Sequence, residues 1–297
     1  MSQVHRLKGK KKLFHRFAIV LFCIWILLPI FWLGIMSITP QRYIAGTRYP
    51  AMLPVEPSLD AYKALLIPGS IDADQISSEV ERPLRLFRRS IINSTIIASI
   101  SAVLGVLLGV TTAYSLCRFK FFGKRFTYIL ILGSRLIAAI SLAIPLFSLF
   151  RDWGILDSYL PLIFLYVVFN MCWATLIMQN YFAMLPEQLE EAALIDGCSR
   201  FSAFVRVVIP AAAPGIVSVL IITFLFSWGE FLYALLFTMS DAARTIPIAL
   251  SMFIGEHEVA YRLLAASLLL SVIPPVTMAI IFQKYIISGL TASAVKG

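Results

Sequence analysis

The sequence predicts an all-α integral membrane protein with six transmembrane helices and a short helix-turn-helix in the loop between the fourth and the fifth. Three observations carry this. The chain of 297 residues is 60% hydrophobic and 14% charged, with a mean hydropathy of +0.87, far from the mixture of a water-soluble domain. Six apolar runs, at 17–38, 91–116, 126–150, 160–180, 212–238 and 264–287, are long enough to cross a bilayer, since ~20 residues at ~1.5 Å rise span a ~30 Å hydrocarbon core. The segment 181–211 interrupts them with carboxylates, alanines and a single glycine.

Residues 1–16 form a basic tail in which Arg6, Lys8, Lys10, Lys11, Lys12 and Arg16 precede the first run. That run, "FAIVLFCIWILLPIFWLGI", is too long for a signal peptide, and no small-residue cleavage site follows it, so an uncleaved anchor is expected. A long external loop at 39–89 comes next, punctuated by prolines from Pro40 to Pro83. Within it "SLDAYKALL" predicts a short helix capped by Ser58, with Leu59, Tyr62 and Leu66 on one side. "ERPLRLFRRS" then sets Arg82, Arg85, Arg88 and Arg89 before the second span, as an amphipathic lead-in whose arginines reach lipid phosphates.

Lys and Arg counts orient the spans. With the tail inside, the inner side holds fourteen and the outer side ten, which predicts cytoplasmic N- and C-termini, the latter at 288–297. The net charge of +9 is therefore an orientation signal, and no basic stripe interleaved with aromatics points to nucleic acid. Cys23, Cys117, Cys172 and Cys198 lie far apart without a CxxC pair, and His5, His15 and His257 are scattered. No metal site is expected from them.

In "MLPEQLEEAALIDGCSRF", Pro186 suits a first helical position, and Glu187, Glu190 and Glu191 crowd the early turns where the helix dipole favours anions. Leu189, Ala192, Ala193 and Asp196 recur at i, i+3, i+4 and i+7, giving one side with little bulk that lets another protein approach the backbone. Gly197 is placed to end this helix in the left-handed conformation. Ser199 then caps a second helix with Phe201, Phe204, Val205 and Val208 as its apolar stripe, and Pro210 breaks it before the fifth span.

Glu191, Ala192, Ala193, Gly197, Val207, Ile209 and Pro210 fall at the spacing E-A-A, three residues, G, nine residues, two aliphatics one residue apart and P. This resembles the cytoplasmic signature of permease subunits of binding-protein-dependent ABC importers, with Val207 and Ile209 replacing the family's usual aliphatics. The ending "GLTASAVKG" resembles that of the smaller permease subunit of maltose-type, carbohydrate-importing members. The resemblance implies the type I permease fold over 17–287, with 181–211 as a coupling loop. Glu190, Glu191, Ala192, Ala193, Asp196, Gly197, Ile209 and Pro210 would then meet a separate ATPase subunit. It also implies the partners: a second permease subunit, two ATP-binding subunits that hold the ATP and Mg, an extracytoplasmic solute-binding protein and the lipid of a bacterial inner membrane. No cofactor is expected on this chain itself, which has no GxxxxGK[ST].

Two charges fall inside the predicted spans. Glu230 in "FSWGEFLYA" and Arg135 in "ILGSRLIAAIS" should each face a cavity or a partner, because burying either alone costs several kcal/mol. One reading makes Arg135 part of a translocation path suited to an anionic sugar; the other has it snorkel to the interface near Lys124 and Arg125. Asn93 and Asn170 are further pathway candidates, or interhelical hydrogen-bonding groups. "GEHEVAY" sets Gly255, Glu256, His257 and Glu258 where similar permeases meet the solute-binding protein, or else is a solvated turn. A proton- or sodium-coupled secondary transporter is the rival class, but it would want repeats and several midplane ionisable groups. No nucleophile, base or paired-carboxylate arrangement suggests an enzyme.

Overall fold

The computed structural model describes residues 2–45, 56–69, 78–134, 136–137, 139–255 and 259–285. They are helical throughout, apart from turns and one isolated β-bridge between Ile254 and Val259. Five helices are long and apolar enough to cross a membrane, and a bent pair supplies a sixth crossing if it is counted as one span. The chain divides into two compact units, Met1–Arg85 with Leu250–Val272, and Leu86–Ala249 with Ile273–Gly297.

In the first unit, helix α1 (Ser2–Ile38) runs from the basic tail through the first apolar segment without a break, despite Pro29. The most apolar 18-residue stretch of Phe14–Ile38 contains no residue buried within the chain. The C-terminal end of α1 is tied down: the Ser37 hydroxyl is 2.7 Å from that of Tyr62, and the Ser58 N–H donates to the Ile38 carbonyl. After α2 (Gln41–Ala45) comes α3 (Asp60–Leu66). Here Leu59, not Ser58, occupies the cap position, so the register turns by one residue. The buried side is Ala61, Ala64 and Leu65, while Leu59 and Leu66 are exposed, contrary to the expected face. Ser58 instead hydrogen-bonds the Asp60 side chain and accepts the Asp60 N–H.

Helix α4 (Ser78–Arg118) begins well before the run at 91, so 78–89 is helix rather than loop. The lead-in is amphipathic as expected: Leu84 and Phe87 are buried and Arg82, Arg85 and Arg89 exposed. The apolar period simply continues into the span, which removes any reason for the helix to stop.

The second unit holds the site. Helices α5 (Lys124–Ser134) and α6 (Ala139–Asp152) occupy the predicted third span but bend by 94° between them. The break follows Gly133 and Ser134, the type of pair at which helices kink, and the Ser134 hydroxyl turns back to the Ile131 carbonyl at 2.8 Å. Helix α7 (Tyr159–Met184) is capped by Ser158 and packs on α4, where Gly105 and Gly109 sit against Asn170 and Ala174. Loop helices α8 (Gln188–Ile195) and α9 (Arg200–Ala203) lead into α10 (Ile209–Trp228). The predicted fifth span, 212–238, is also interrupted, because α10 ends at Gly229 and α11 (Leu232–Phe237) starts afresh. Helix α12 (Ile246–Ser251) follows, and α13 (Tyr261–Ile281), with Pro274 and Pro275 inside it, carries the sixth span. The ending "GLTASAVKG" lies outside the described residues.

Candidate functional site

The loop after α7 is built as two short helices on a rigid mount. Helix α8 starts two residues past Pro186, because the Pro186 and Glu187 carbonyls take the N–H groups of Leu189 and Glu190 in a preliminary turn. Its end is a Schellman closure. Gly197 adopts φ +85°, its N–H bonds the Leu194 carbonyl at 3.1 Å, and the Cys198 N–H bonds the Ala193 carbonyl at 3.0 Å. Ser199 caps α9 as expected, its hydroxyl accepting the Ser202 N–H.

The small-residue side divides in two. Leu189, Glu191, Ala192, Ile195 and Asp196 are exposed, Ile195 at 86%, whereas Ala193 and Glu190 are buried at 6% and 7%. At ~100° per residue, positions 189, 192 and 196 share the outward side while 190 and 193 turn into the bundle. Glu190 is received there by two side chains of α4. The Tyr114 hydroxyl donates to Glu190 Oε1, and Arg118 Nε lies 3.5 Å from Glu190 Oε2. Arg118, itself 8% exposed, also donates to the Leu185 carbonyl at 2.9 Å and to Glu187 Oε1 at 3.0 Å. A buried carboxylate is tolerable only when paired and hydrogen-bonded in this way. Tyr114 is in turn held by Phe119, Phe182 and Phe204, the last with ring centroids 4.4 Å apart.

Pro210 does not break the chain's course. The backbone stays helical from Arg200 to Trp228, through a π turn at Phe204–Val208 in which the Ile209 N–H bonds the Phe204 carbonyl. Proline lacks an N–H, and the wider turn immediately before it lets the helix absorb that loss. The expected apolar stripe also separates, with Phe204 and Val208 buried and Phe201 and Val205 exposed. Ile209 and Pro210 are therefore part of a single rod joining the loop to α10.

A second feature is a cavity of ≈ 460 Å³ between α7 and α10, lined by Ser134, Ile137, Ala139, Tyr166, Phe169, Asn170, Trp173, Phe226, Ser227, Glu230 and Tyr233. Glu230 lies in the break between α10 and α11, where its carboxylate accepts the Tyr233 and Ala234 N–H groups at 2.9 and 3.2 Å and the Tyr166 hydroxyl at 2.6 Å. Two of those donors are the otherwise unpaired N–H groups that open α11. Asn170 donates to the Ser227 hydroxyl at 2.9 Å. The structure thus brings Asn170 and Glu230 together in one cavity. Asn93 lies elsewhere: its amide donates to the Ala242 and Arg244 carbonyls and accepts from the Tyr159 hydroxyl, a complete set between α4, α7 and the loop after α11. Arg135 is outside the described residues, as are Glu256, His257 and Glu258. Gly255 is exposed beside the Ile254 bridge, and Val259 across that bridge accepts from Gln41 at 2.8 Å. No group of His, Cys, Asp and Glu among the described residues could hold a metal ion.

Tyr114, Arg118, Tyr166 and Trp173 carry no sequence signal of their own. Each is one amphipathic or basic residue on a long apolar helix, and only its partner in space distinguishes it.

Residues 105–292 match the family model described as the binding-protein-dependent transport system inner membrane component. The chain is 34% identical to the trehalose transport system permease protein of Mycobacterium tuberculosis, over 91% of this chain and 93% of that one. It is 39% identical to the trehalose/maltose transport system permease protein of Thermococcus litoralis, over 69% and 74%. To the sulfoquinovosyl glycerol transport system permease protein of Agrobacterium fabrum it is 34% identical, over 76% and 78%. Its fold is similar to a chain of a bacterial ABC transporter involved in the import of the acidic polysaccharide alginate, with a TM-score of 0.74, 22% identity, and coverage of 96% and 98%.

Proposed function

Because the chain belongs to the inner membrane component family of binding-protein-dependent transport systems, we propose that it forms half of the translocation pathway of an ATP-driven sugar importer. The relatives named for trehalose, maltose and sulfoquinovosyl glycerol support the solute class. A coupled secondary transporter has no comparable support. The observation that carries the mechanism is the mount of α8: one side is bolted to α4 through Glu190, and its end passes by way of Gly197 and Ser199 into the rod from Arg200 to Trp228.

In this reading Glu191, Ala192 and Asp196 face a cytoplasmic ATPase subunit, while Glu190, Ala193, Gly197, Ile209 and Pro210 keep the helix stiff. Two such ATPases hold ATP and Mg, and this chain contributes no cofactor site. A second permease subunit supplies the other half of the pathway, and an extracytoplasmic binding protein delivers the sugar near Gly255. The tail 1–16 and the end 288–297 are cytoplasmic. Closing the ATPases displaces α8, and the rod tilts α10 and α4 with it. Reversing a 1:99 equilibrium takes about 5.5 kcal/mol of differential binding, which ATP and a docked binding protein together can supply.

The test is purification from native membranes followed by reconstitution. Co-purification of an ATPase, and vanadate-sensitive sugar uptake that requires the binding protein, are the expected results. Uptake driven by a proton or sodium gradient without ATP would overturn the reading.

A further inference from the structure

We infer that the turn between α4 and α5, together with Arg200 at the start of α9, binds the headgroup of an acidic phospholipid. The inference needs only that α4 and α5 belong to membrane crossings, and it holds whatever drives transport. The stretch "RFKFFGKRF", residues 118–126, sets Arg118, Lys120, Lys124 and Arg125 within eight positions and includes no carboxylate. A cation cluster immediately beside a membrane span attracts anionic lipid.

Arg118 is taken up inward by Glu187, Glu190 and the Leu185 carbonyl. The others are not. Among the described residues, no carboxylate lies within ion-pairing distance of Lys120, Lys124 or Arg125. Lys124 Nζ gives one of its three donors to the Phe119 carbonyl at 3.2 Å. The ring of the same Phe119 carries the Arg200 guanidinium, 5.7 Å from its centroid. Phe119 thus gathers cations from two segments far apart in the sequence, and Arg200 likewise has no described carboxylate to pair with. Its planar fork and the remaining Lys124 donors match the oxygens of a phosphate group.

The apolar surroundings favour lipid over an acidic protein face. Phe122 is fully exposed, and Phe121 and Phe126 are exposed beside it. On α5, Phe126, Ile129 and Leu130 fall at i, i+3 and i+4 and are all exposed, so they share one open side of the helix. The apolar stripe of the crossing therefore runs without interruption into the turn, where cations stand among exposed aromatics, the composition of a surface lying in the membrane interface. Glu191 and Asp196 on the open side of α8 repel such a lipid, which makes the turn and α8 surfaces for different partners. Because Arg200 opens the rod from Arg200 to Trp228, a headgroup held there fixes the foot of that rod at the interface.

Photo-crosslinking tests this on the full chain reconstituted in vesicles of equal phosphatidylglycerol and phosphatidylcholine. One lipid or the other carries a photoreactive headgroup, and peptide mass spectrometry locates the adducts. Labelling within 119–126 is expected to favour phosphatidylglycerol by about fivefold or more. Lys124→Gln and Arg200→Gln should each lower that phosphatidylglycerol labelling about fivefold, the effect of one surface cation. Lys124→Arg, which keeps the charge and guards against misfolding, should not lower it, and neither should Arg151→Gln on the exposed end of α6. Equal labelling of 119–126 by the two lipids, or phosphatidylglycerol labelling that survives both glutamine variants, overturns the site. So does labelling that vanishes when the chain is reconstituted with a co-purified ATPase, since the turn would then be a protein contact. None of these results turns on uptake or ATP hydrolysis, so a failure here belongs to the lipid site alone.

Discussion

The Tyr114 hydroxyl donates to Glu190, joining the last turns of α4 to the loop helix α8 across 76 positions of sequence. Both side chains are buried, so the bond has no water to replace it. Tyr114→Phe keeps the aromatic packing but leaves Glu190 with Arg118 alone, at a cost of about 1–3 kcal/mol for the carboxylate's lost partner. The expected outcome is a lower thermal midpoint for the purified complex and less sugar moved per ATP hydrolysed. Equal transport stoichiometry in Tyr114→Phe and the parent would show that the bolt plays no part in coupling.

Ala192 and Gly197 separate docking from folding. Ala192 is exposed, so Ala192→Trp should leave insertion and melting unchanged while uncoupling ATP hydrolysis from uptake. Gly197 has open space around its missing Cβ but sits at φ +85°. Gly197→Val should therefore cost about 1–2 kcal/mol through backbone strain alone, and Gly197→Asn less. Circular dichroism melts with parallel uptake and ATPase assays check both. A melt for Ala192→Trp as low as that for Gly197→Val would mean that this helix side is packed, not open.

The spans and the loop were legible because each carries a local signal. Hydropathy over some twenty residues marks a crossing, and Gly197 and Ser199 mark the ends of short helices regardless of what packs on them. The two breaks were not. Gly133 and Gly229 sit inside runs that are each long enough to read as one span, with a single charge beside each glycine, and the α5–α6 bend and the gap around Glu230 depend on hydrogen bonds that form only in three dimensions. The face of α8 was half legible for the same reason: its periodicity placed Ala192 and Ala193 together, but Tyr114 and Arg118, which draw Glu190 and with it Ala193 inward, lie on another helix. In α3 a cap shifted from Ser58 to Leu59 rotated the whole buried side.

Asp157 gives a pH-dependent test outside the spans. It adopts φ +59°, and its carboxylate accepts the Met239 and Ser240 N–H groups at 2.9 Å each, fastening the start of α7 to the loop after α11. Partial burial pushes its pKa up, but the Ser240 hydroxyl, the two N–H groups and nearby Arg244 outweigh this and hold it below the usual carboxylate value. A depressed folded pKa adds stability that is present above the unfolded value of about 3.9 and is lost as pH falls through the folded one. The parent should thus lose stability below about pH 4 more steeply than Asp157→Asn, which tolerates the same backbone conformation but does not titrate. Superimposable acid-melting curves for the two would remove Asp157 from the balance.

Gly109 and Gly105 fix how closely α4 approaches α7. A Cβ on Gly109 would lie 2.4 Å from the Ala174 Cβ and 2.9 Å from the Met171 carbonyl oxygen, and one on Gly105 would lie 2.5 Å from the Asn170 Cβ. Backbone atoms cannot swing aside as a flexible side chain can, so the helices must separate. Gly109→Ala should destabilise the purified protein by about 1–3 kcal/mol, the usual range for overpacking. Gly34→Ala, with nothing within 4 Å of its Cβ, should be neutral or slightly stabilising. Because Gly105 meets Asn170, whose amide reaches Ser227 in the cavity wall, Gly105→Ala should also shift α7 against α10. It should lower sugar uptake beyond what its loss of thermal stability explains. Uptake that tracks stability equally in Gly105→Ala and Gly109→Ala would count against any link from this contact to the cavity.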